Sequence, residues 1–293
     1  MGYKFLLLLE NVLMHLPHAA RKAFFTLLAF IGYKTAKKYR RIVKQNLHYA
    51  FDNTMSEKEI EDITRYSFKN LLYNFLHLME MRHLSKEEIR KRITIINKKE
   101  VERIHNENRA VIYVTPHYSA WELGAAGLAL HVETIAPVYK KLKNRVYEKW
   151  LLDARARFGN ENLEKTNVIK PLIKRIKQGK ASGILIDTNI NQKEGVIVKF
   201  MGKPLRMTAT PAYLARKFNA AIVPVHIRTD DEENYTIIIA DEIKVNKTDN
   251  EADDIQKATQ KQADWLTSLI KKEPKFWFWL HRRWKNDKPE IYN

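Results

Sequence analysis

The stretch Ala110–Leu130, AVIYVTPHYSAWELGAAGLAL, decides how this chain is read. Its β-branched apolar run, Ala110–Thr115, reads as a buried strand that stops at Pro116. The small-residue apolar pattern from Ser119 to Leu130 reads as a helix. His117 and Glu122 stand at the junction, with four residues between them. The end of a strand and the start of the next helix is where an α/β protein exposes reactive side chains. A helix N-terminus also offers N–H groups and partial positive charge to an anion or oxyanion. Histidine titrates near neutrality, so His117 can take a proton from a hydroxyl. A carboxylate beside it can fix its tautomer and stabilise the imidazolium. The attacking hydroxyl then belongs to the substrate. A structural reading stands beside this one: Ser119-Ala-Trp-Glu122 fits the S-x-x-E capping box, in which Glu122 only closes the first helical turn.

From Ile93 onward, strand and helix patterns alternate without a Pro/Gly/Ser-rich linker. Strands are expected at Ala110–Thr115, Thr134–Val138, Ser182–Ile186, Val196–Phe200, Ala221–Ile227 and Tyr235–Ile239. Helices are expected at Ser119–Leu130, Asn144–Arg157, Pro171–Gln178, Thr208–Phe218 and Ala252–Lys271. The alternation predicts an α/β fold with a mixed, mostly parallel sheet flanked by helices. The late hairpin-like pair supplies the antiparallel part. Upstream, Ser56-Glu-Lys-Glu59 and Ser85-Lys-Glu-Glu88 are helix starts. Between them, Phe68, Leu71, Leu72, Phe75, Leu76 and Met79 recur at helical spacing, which reads as core.

Met1–Gly32 is the most apolar segment, but Glu10, His15, Pro17, His18, Arg21 and Lys22 interrupt it. No run reaches the roughly 20 apolar residues of a spanning helix, and no convincing cleavage site follows a short apolar core. Two helices broken near Pro17 and lying in a membrane interface fit best, and a tilted or imperfect span stays open as the alternative. Lys34, Lys37, Lys38, Arg40, Arg41 and Lys44 follow, with no acid among them, and favour the cytoplasmic, anionic leaflet. The expected organisation is a membrane-associated N-terminal helical segment, residues 1–50, and a catalytic domain, residues 51–293. Deleting Met1–Gly32 is expected to release soluble, folded protein.

The chain has 293 residues, 52 Lys and Arg against 34 Asp and Glu, a formal net charge of +18 and no cysteine. The charge implies an anionic partner; the missing cysteines exclude disulfides and thiolate metal sites. No G-x-G-x-x-G after a strand, no P-loop and no G-x-S-x-G elbow occurs, and no second histidine lies at metal-ligand spacing from His117. Neither a metal nor a cofactor is expected.

Pro-His117-Tyr-Ser-Ala-Trp-Glu122 resembles the H-x4-E/D signature of the glycerolipid and lysophospholipid acyltransferase superfamily. More closely, the chain resembles the bacterial late lipid A acyltransferases, lauroyl and myristoyl transferases. The resemblance runs in order through Arg41–Phe51, Arg155-Ala-Arg157-Phe-Gly159, Gly183-Ile-Leu-Ile-Asp187, Phe200-Met-Gly202-Lys-Pro and Trp279-Leu-His281-Arg282-Arg283-Trp284-Lys285. The H-x4-E element alone is weak; the ordered set is specific and covers nearly the whole chain.

The resemblance implies a ternary-complex O-acyltransferase with His117 and Glu122 as catalytic pair. An acyl chain would pass from acyl carrier protein or CoA to a hydroxyl of a lipid A precursor, at the cytoplasmic face of the inner membrane. It implies that an arginine of the Arg155–Arg157 pair holds the glycolipid acceptor or its phosphate, where a guanidinium suits bidentate contact. Read unaided, both arginines are C-terminal cations that complement a helix dipole. Asp187 ends an apolar strand, as a substrate contact in the site or as a loop cap; Thr188 follows where the family often has Gln or His. Arg282 and Arg283 are further candidates for phosphate contact. Other glycolipid or lysophospholipid acceptors stay open. A nucleic-acid-binding protein explains the charge alone, without a recognised motif, and a noncatalytic membrane adaptor leaves His117 accidental.

Overall fold

The computed structural model describes residues 2–191 and 194–293. Five helices come first: α1 (Tyr3–Met14), α2 (His18–Thr35), α3 (Lys37–Ala50), α4 (Glu57–His83) and α5 (Lys86–Lys91). Both expected capping boxes form, Ser56 with Glu59 and Ser85 with Glu88. The chain then runs β1 (Ile93–Ile96), α6 (Lys98–Asn106), β2 (Val111–Thr115), α7 (Trp121–His131), β3 (Val138–Tyr139) and α8 (Arg145–Ala156). After β4 (Leu163–Glu164) and α9 (Ile169–Lys177) come β5 (Ser182–Leu185), β6 (Val196–Phe200) and β7 (Lys203–Met207). The sequence of elements closes with α10 (Thr210–Phe218), β8 (Ala221–Arg228), β9 (Tyr235–Ile239) and α11 (Glu251–Lys272).

The main sheet has the order β1-β9-β8-β2-β5. β1 with β9, β8 with β2, and β2 with β5 pair parallel, whereas β8 and β9 pair antiparallel. This is the mixed, mostly parallel sheet that the sequence predicts. Every residue of β2 except Thr115 is fully buried, so its unbroken apolar run is what a central strand needs. Alternate side chains feed two cores: Ile112 and Val114 face the aromatic C-terminal cluster, Val111 and Tyr113 face α7.

Some elements differ from expectation. Of Thr134–Val138 only Val138 is in a strand, because this segment makes a short bridge from Pro137 to Gly183 instead of a sheet ladder. β7 contains Pro204 and goes unrecognised as a strand; it is an outer strand of a two-stranded ribbon with β6, where a missing N–H is tolerated.

The chain breaks between α1 and α2 at Pro17, as the sequence suggests. Among the described residues no helix is long and apolar enough to cross a membrane. Phe5, Leu8, Leu9 and Val12 of α1, Leu16 of the turn, and Phe24, Leu27, Phe30 and Ile31 of α2 are exposed. Their other sides are packed. Phe25 and Ala29 are buried, and Ile42, Val43, Leu47 and Ala50 of α3 share a core with β2. Two carboxylates anchor the helices further. Glu10, 3% exposed, accepts from Arg82 Nε (2.9 Å) and Trp150 Nε1 (2.9 Å). Glu80, 1% exposed, accepts from Arg21 Nη2 (3.0 Å) and Arg92 Nη1 (2.8 Å).

That packing replaces the expectation for the truncation. Removing one partner from a buried ion pair costs about 3–5 kcal/mol, against a typical total stability of about 5–15 kcal/mol. Deleting residues 1–32 removes Arg21 from Glu80, Glu10 from Arg82, and the apolar cover of α4. The truncated protein is expected to aggregate and to show no cooperative melting transition by circular dichroism. A monodisperse, cooperatively melting truncation would contradict this.

Candidate active site

β2 and β5 are parallel neighbours with Thr115 opposite Leu185. His117 lies two residues beyond Thr115, and Asp187 lies two residues beyond Leu185. Equal overhang from paired strands brings the two side chains together at the C-terminal edge of the sheet. Asp187 Oδ1 stands 2.9 Å from His117 Nδ1, and Oδ2 accepts from the main-chain N–H of His117 (2.8 Å). Oδ2 also accepts from Trp277 Nε1 at 2.9 Å.

The segment Phe276–Phe278 lies alongside residues 117–119 like an extra strand. Ser119 N donates to Phe276 O (2.8 Å), Phe278 N donates to His117 O (3.0 Å), and Tyr118 bridges to Trp277. Ser119, 1% exposed, has φ +50°, a left-handed conformation that costs a non-glycine residue about 1–3 kcal/mol. Asn74 of α4 braces it: Nδ2 donates to Ser119 O (2.9 Å), and Oδ1 accepts from Glu122 N (3.3 Å).

The capping box at Ser119 therefore does not form. The residue that caps α7 is Ala120, without a side-chain bond, and the Asn74 amide takes the N–H of Glu122. The Glu122 carboxylate, 7% exposed, turns to Arg155. It accepts from Nε at 2.8 Å and Nη2 at 2.6 Å, with Trp121 Nε1 a third donor at 3.1 Å.

The electrostatics follow from these contacts. Burial works against the Asp187 carboxylate, but His117 and the Trp277 indole hold it down to about 2. Burial pushes His117 down, yet the attraction and hydrogen bond of Asp187, with Glu122 further off, outweigh it and raise the imidazole above its ordinary value. Burial likewise opposes ionisation of Glu122, and Arg155 overcomes it, keeping the carboxylate below its usual range. Because Asp187 is an ionised acceptor, Nδ1 of neutral His117 carries the proton and Nε2 the lone pair. Among the described residues none hydrogen-bonds Nε2. The ring is held edge-on to Trp121 (centroids 5.4 Å apart, 80°) and tilted on Phe278 (5.9 Å).

Trp121, Glu122 and Arg155 help to line a cavity between the sheet and α7. Tyr113, Ala125, Leu128, Ile135, Val225 and Ile237 are among the residues that line it. Gly124 and Gly183 leave it open: a Cβ there would meet Ile227 and Ile135, respectively, at 3.3 Å. The sequence reading missed this cavity because no residue in it is unusual alone.

Arg157 is exposed at the C-cap of α8, as a dipole-complementing cation would be, and its guanidinium lies over Phe158. Arg282 lies over the ring of Tyr292, and Arg283, 1% exposed, lies over Phe200. Reasoning from sequence paired His117 with Glu122 and put Asp187 among substrate contacts; the structure puts Asp187 on the ring. The signal was available in the matched offsets from two parallel strands. Trp277 and Asn74 had no comparable signal. No group of three or more His, Asp or Glu side chains able to hold a metal ion occurs among the described residues.

The site predicts a pH profile. If neutral His117 is the base, the acid limb of kcat/KM lies above the ordinary imidazole pKa of about 6.5. Asp187→Asn removes the charge that favours imidazolium, so the limb should move to lower pH while the rate falls roughly 10²–10⁴-fold. An acid limb that stays in place in Asp187→Asn would show that another group titrates.

Over residues 3–286 the chain matches the family model described as bacterial lipid A biosynthesis acyltransferase. It is 24% identical over 268 residues to the lipid A biosynthesis acyltransferase of Haemophilus influenzae, covering 90% of this chain and 81% of that protein. With the phosphatidylinositol mannoside acyltransferase of Mycolicibacterium smegmatis it shares 25% identity over 183 residues, 61% of this chain and 58% of that protein. With the lipid A biosynthesis myristoyltransferase of Escherichia coli it shares 24% over 192 residues, 66% of this chain and 59% of that protein.

Proposed function

The chain belongs to the bacterial lipid A biosynthesis acyltransferase family, and from that premise we propose that it acylates a hydroxyl of a lipid A precursor. It is an acyltransferase, and its family acts on glycolipids. The donor in this proposal is an acyl thioester of acyl carrier protein or CoA. The observation that carries the reading is the coincidence of three things at one strand end. These are an imidazole with a free lone pair, a buried carboxylate fixing its tautomer, and an apolar cavity beside it.

In this mechanism His117 Nε2 removes the proton of the acceptor hydroxyl as its oxygen attacks the thioester carbonyl. Asp187 stabilises the imidazolium without taking the proton. The thiol leaves with that proton as the tetrahedral intermediate collapses, so no acyl-enzyme forms. First-turn N–H groups of α7 other than that of Glu122, which Asn74 takes, stabilise the developing oxyanion. Glu122 adds negative charge at longer range and holds Arg155 in a fixed bidentate geometry. Arg155, which lines the cavity, orients the acceptor, and the acyl chain lies in the cavity. Arg157 stays a helix-end cation.

The exposed apolar face of α1 and α2, followed by the basic start of α3, would lie in the cytoplasmic leaflet of the inner membrane. A nucleic-acid partner has no support beyond net charge.

Mass spectrometry of lipid A from cells with and without the gene is the direct test; loss of one acyl chain is expected, and unchanged lipid A would refute the acceptor. With the purified protein, His117→Ala and Asp187→Asn should each lower kcat roughly 10²–10⁴-fold, and the double variant little further, because such residues act as a unit. Additive losses would separate the two.

Glu122→Gln retains one acceptor for Arg155 but loses the charge, and Arg155→Gln leaves Glu122 buried without its partner. Both are expected to raise KM for the acceptor more than they lower kcat, since the pair holds the acceptor and does not move the proton. An equal fall in kcat and kcat/KM in Glu122→Gln would return Glu122 to the proton-transfer step.

A further inference from the structure

The turn between β8 and β9 carries four acids in a row, Asp230-Asp231-Glu232-Glu233, which the catalytic site does not use. Asp231 builds the turn itself. Its Oδ1 accepts from the main-chain N–H groups of Glu233 (2.8 Å) and Asn234 (2.8 Å), and Oδ2 accepts from Asn234 Nδ2 (2.8 Å). Thr229 Oγ1 takes the N–H of Glu232 (2.8 Å), and Asp230 pairs with Arg228. The other two acids reach across to the N-terminal helices. Glu232 Oε2 stands 2.5 Å from Lys69 Nζ of α4. Glu233 pairs with Lys22 of α2 through Oε1, and its Oε2 lies 2.8 Å from His18 Nε2. Lys22 Nζ also donates to Glu232 O (3.3 Å).

These lysines flank the exposed apolar face of α2. Around Lys22, Ala19, Ala23 and Thr26 are exposed whereas Arg21 and Phe25 are buried, so Lys22 marks one edge of that face. Lys69 lies on the same edge: its Nζ is 5.1 Å from the centre of the Tyr73 ring, and Tyr73 OH meets Thr26 Oγ1 at 2.9 Å. Towards the end of α2, Lys34, Arg40 and Arg65 gather around Tyr33, at 5.7, 5.3 and 5.5 Å from its ring centre. Glu61 pairs with Arg65 there. Cations alongside an apolar helix face are what anionic headgroups bind. At the Lys22 end the acidic turn already holds them.

The strength of that hold decides whether lipid can replace it. The Glu233 side chain is 44% exposed, and those of Lys22 and Lys69 are 19% and 32% exposed. A surface pair of this kind favours the closed arrangement by at most about fivefold. A lysine brought to an anionic bilayer gains about as much. The exchange is close to balanced, unlike that of buried Glu80, which Arg21 and Arg92 keep.

We propose that Glu232 and Glu233 are an internal stand-in for lipid phosphate. They hold Lys22 and Lys69 while the protein is off the membrane, and anionic headgroups displace them when the apolar face of α2 docks. A neutral bilayer offers nothing to exchange, so the turn makes docking depend on anionic lipid. This rests on the reading of α1 and α2 as a membrane surface and not on the acyl-transfer chemistry.

The test is flotation of the full-length protein with phosphatidylcholine vesicles, with and without phosphatidylglycerol, each variant first checked for a wild-type melting curve. Glu232→Gln with Glu233→Gln frees two cations and should bind the phosphatidylglycerol vesicles roughly 5–25-fold more tightly than wild type. Two further variants separate this from a plain change in net charge. Glu102→Gln with Glu251→Gln makes the same change on exposed positions of α6 and α11 and should give a much smaller gain. Lys22→Glu with Glu233→Lys keeps the net charge and the pair but takes the cation off α2; it should bind about fivefold more weakly.

Equal gains in the two Gln variants, or a swapped variant that binds like wild type, overturn the stand-in while docking itself survives. If neither wild type nor any variant binds either kind of vesicle, the membrane reading fails and the stand-in with it. A wild type that stays unbound while Glu232→Gln with Glu233→Gln binds upholds it.

Discussion

Asp187 is 2% exposed and ionised, and the rest of the site depends on how that charge is satisfied. Burying an unpaired carboxylate costs several kcal/mol, so every donor aimed at it is also a constraint on fold. The three donors come from two chain segments far apart in sequence, residue 117 and residue 277. Meeting all three fixes the loop after β2, the loop after β5 and the entry of the C-terminal segment at once. The left-handed Ser119 and the edge contacts of Phe276 and Phe278 follow from that closure. A strained turn held by a buried charge keeps the imidazole in one orientation, so little reorganisation is needed when it accepts a proton.

A second buried carboxylate, Glu122, does a different job nearby. Its partner Arg155 sits on α8, and α8 rests on α1 and α4 through Trp150, whose indole donates to Glu10. This cavity-lining arginine is thus fixed by helices that include one carrying the exposed apolar face. A protein that docks through that face would present the cavity at a set height above the bilayer. The acceptor headgroup and Arg155 would then meet without a search in the third dimension.

Much of this was legible in the sequence, for physical reasons. The uninterrupted apolar run of β2 cannot be anything but buried, and Pro116 has to end it. Pro17 likewise has to break the N-terminal helix. His117 announced itself as a polar residue where a central strand ends. What could not be read was partnership. Ser-x-x-Glu and His-x4-Glu are both local patterns, and each suggested a local partner for Glu122; the structure gives it a remote one, Arg155. Asp187 lies 70 residues from His117, and only the parallel register of β2 with β5 joins them. Asn74 took the capping role because a helix from elsewhere in the chain offers an amide at the right place. Local chemistry sets which elements form, whereas tertiary contact decides which polar groups are spent on each other.

The same distinction applies to charge. A net charge of +18 suggests an anionic partner but does not say which cations would meet it. Surface lysines in α3 are solvated and cost nothing when alone, so their number carries little information about a site. Burial changes the weighting. Arg21, Arg82, Arg155 and Arg216 are buried or nearly so and each holds a carboxylate, which accounts for them within the fold.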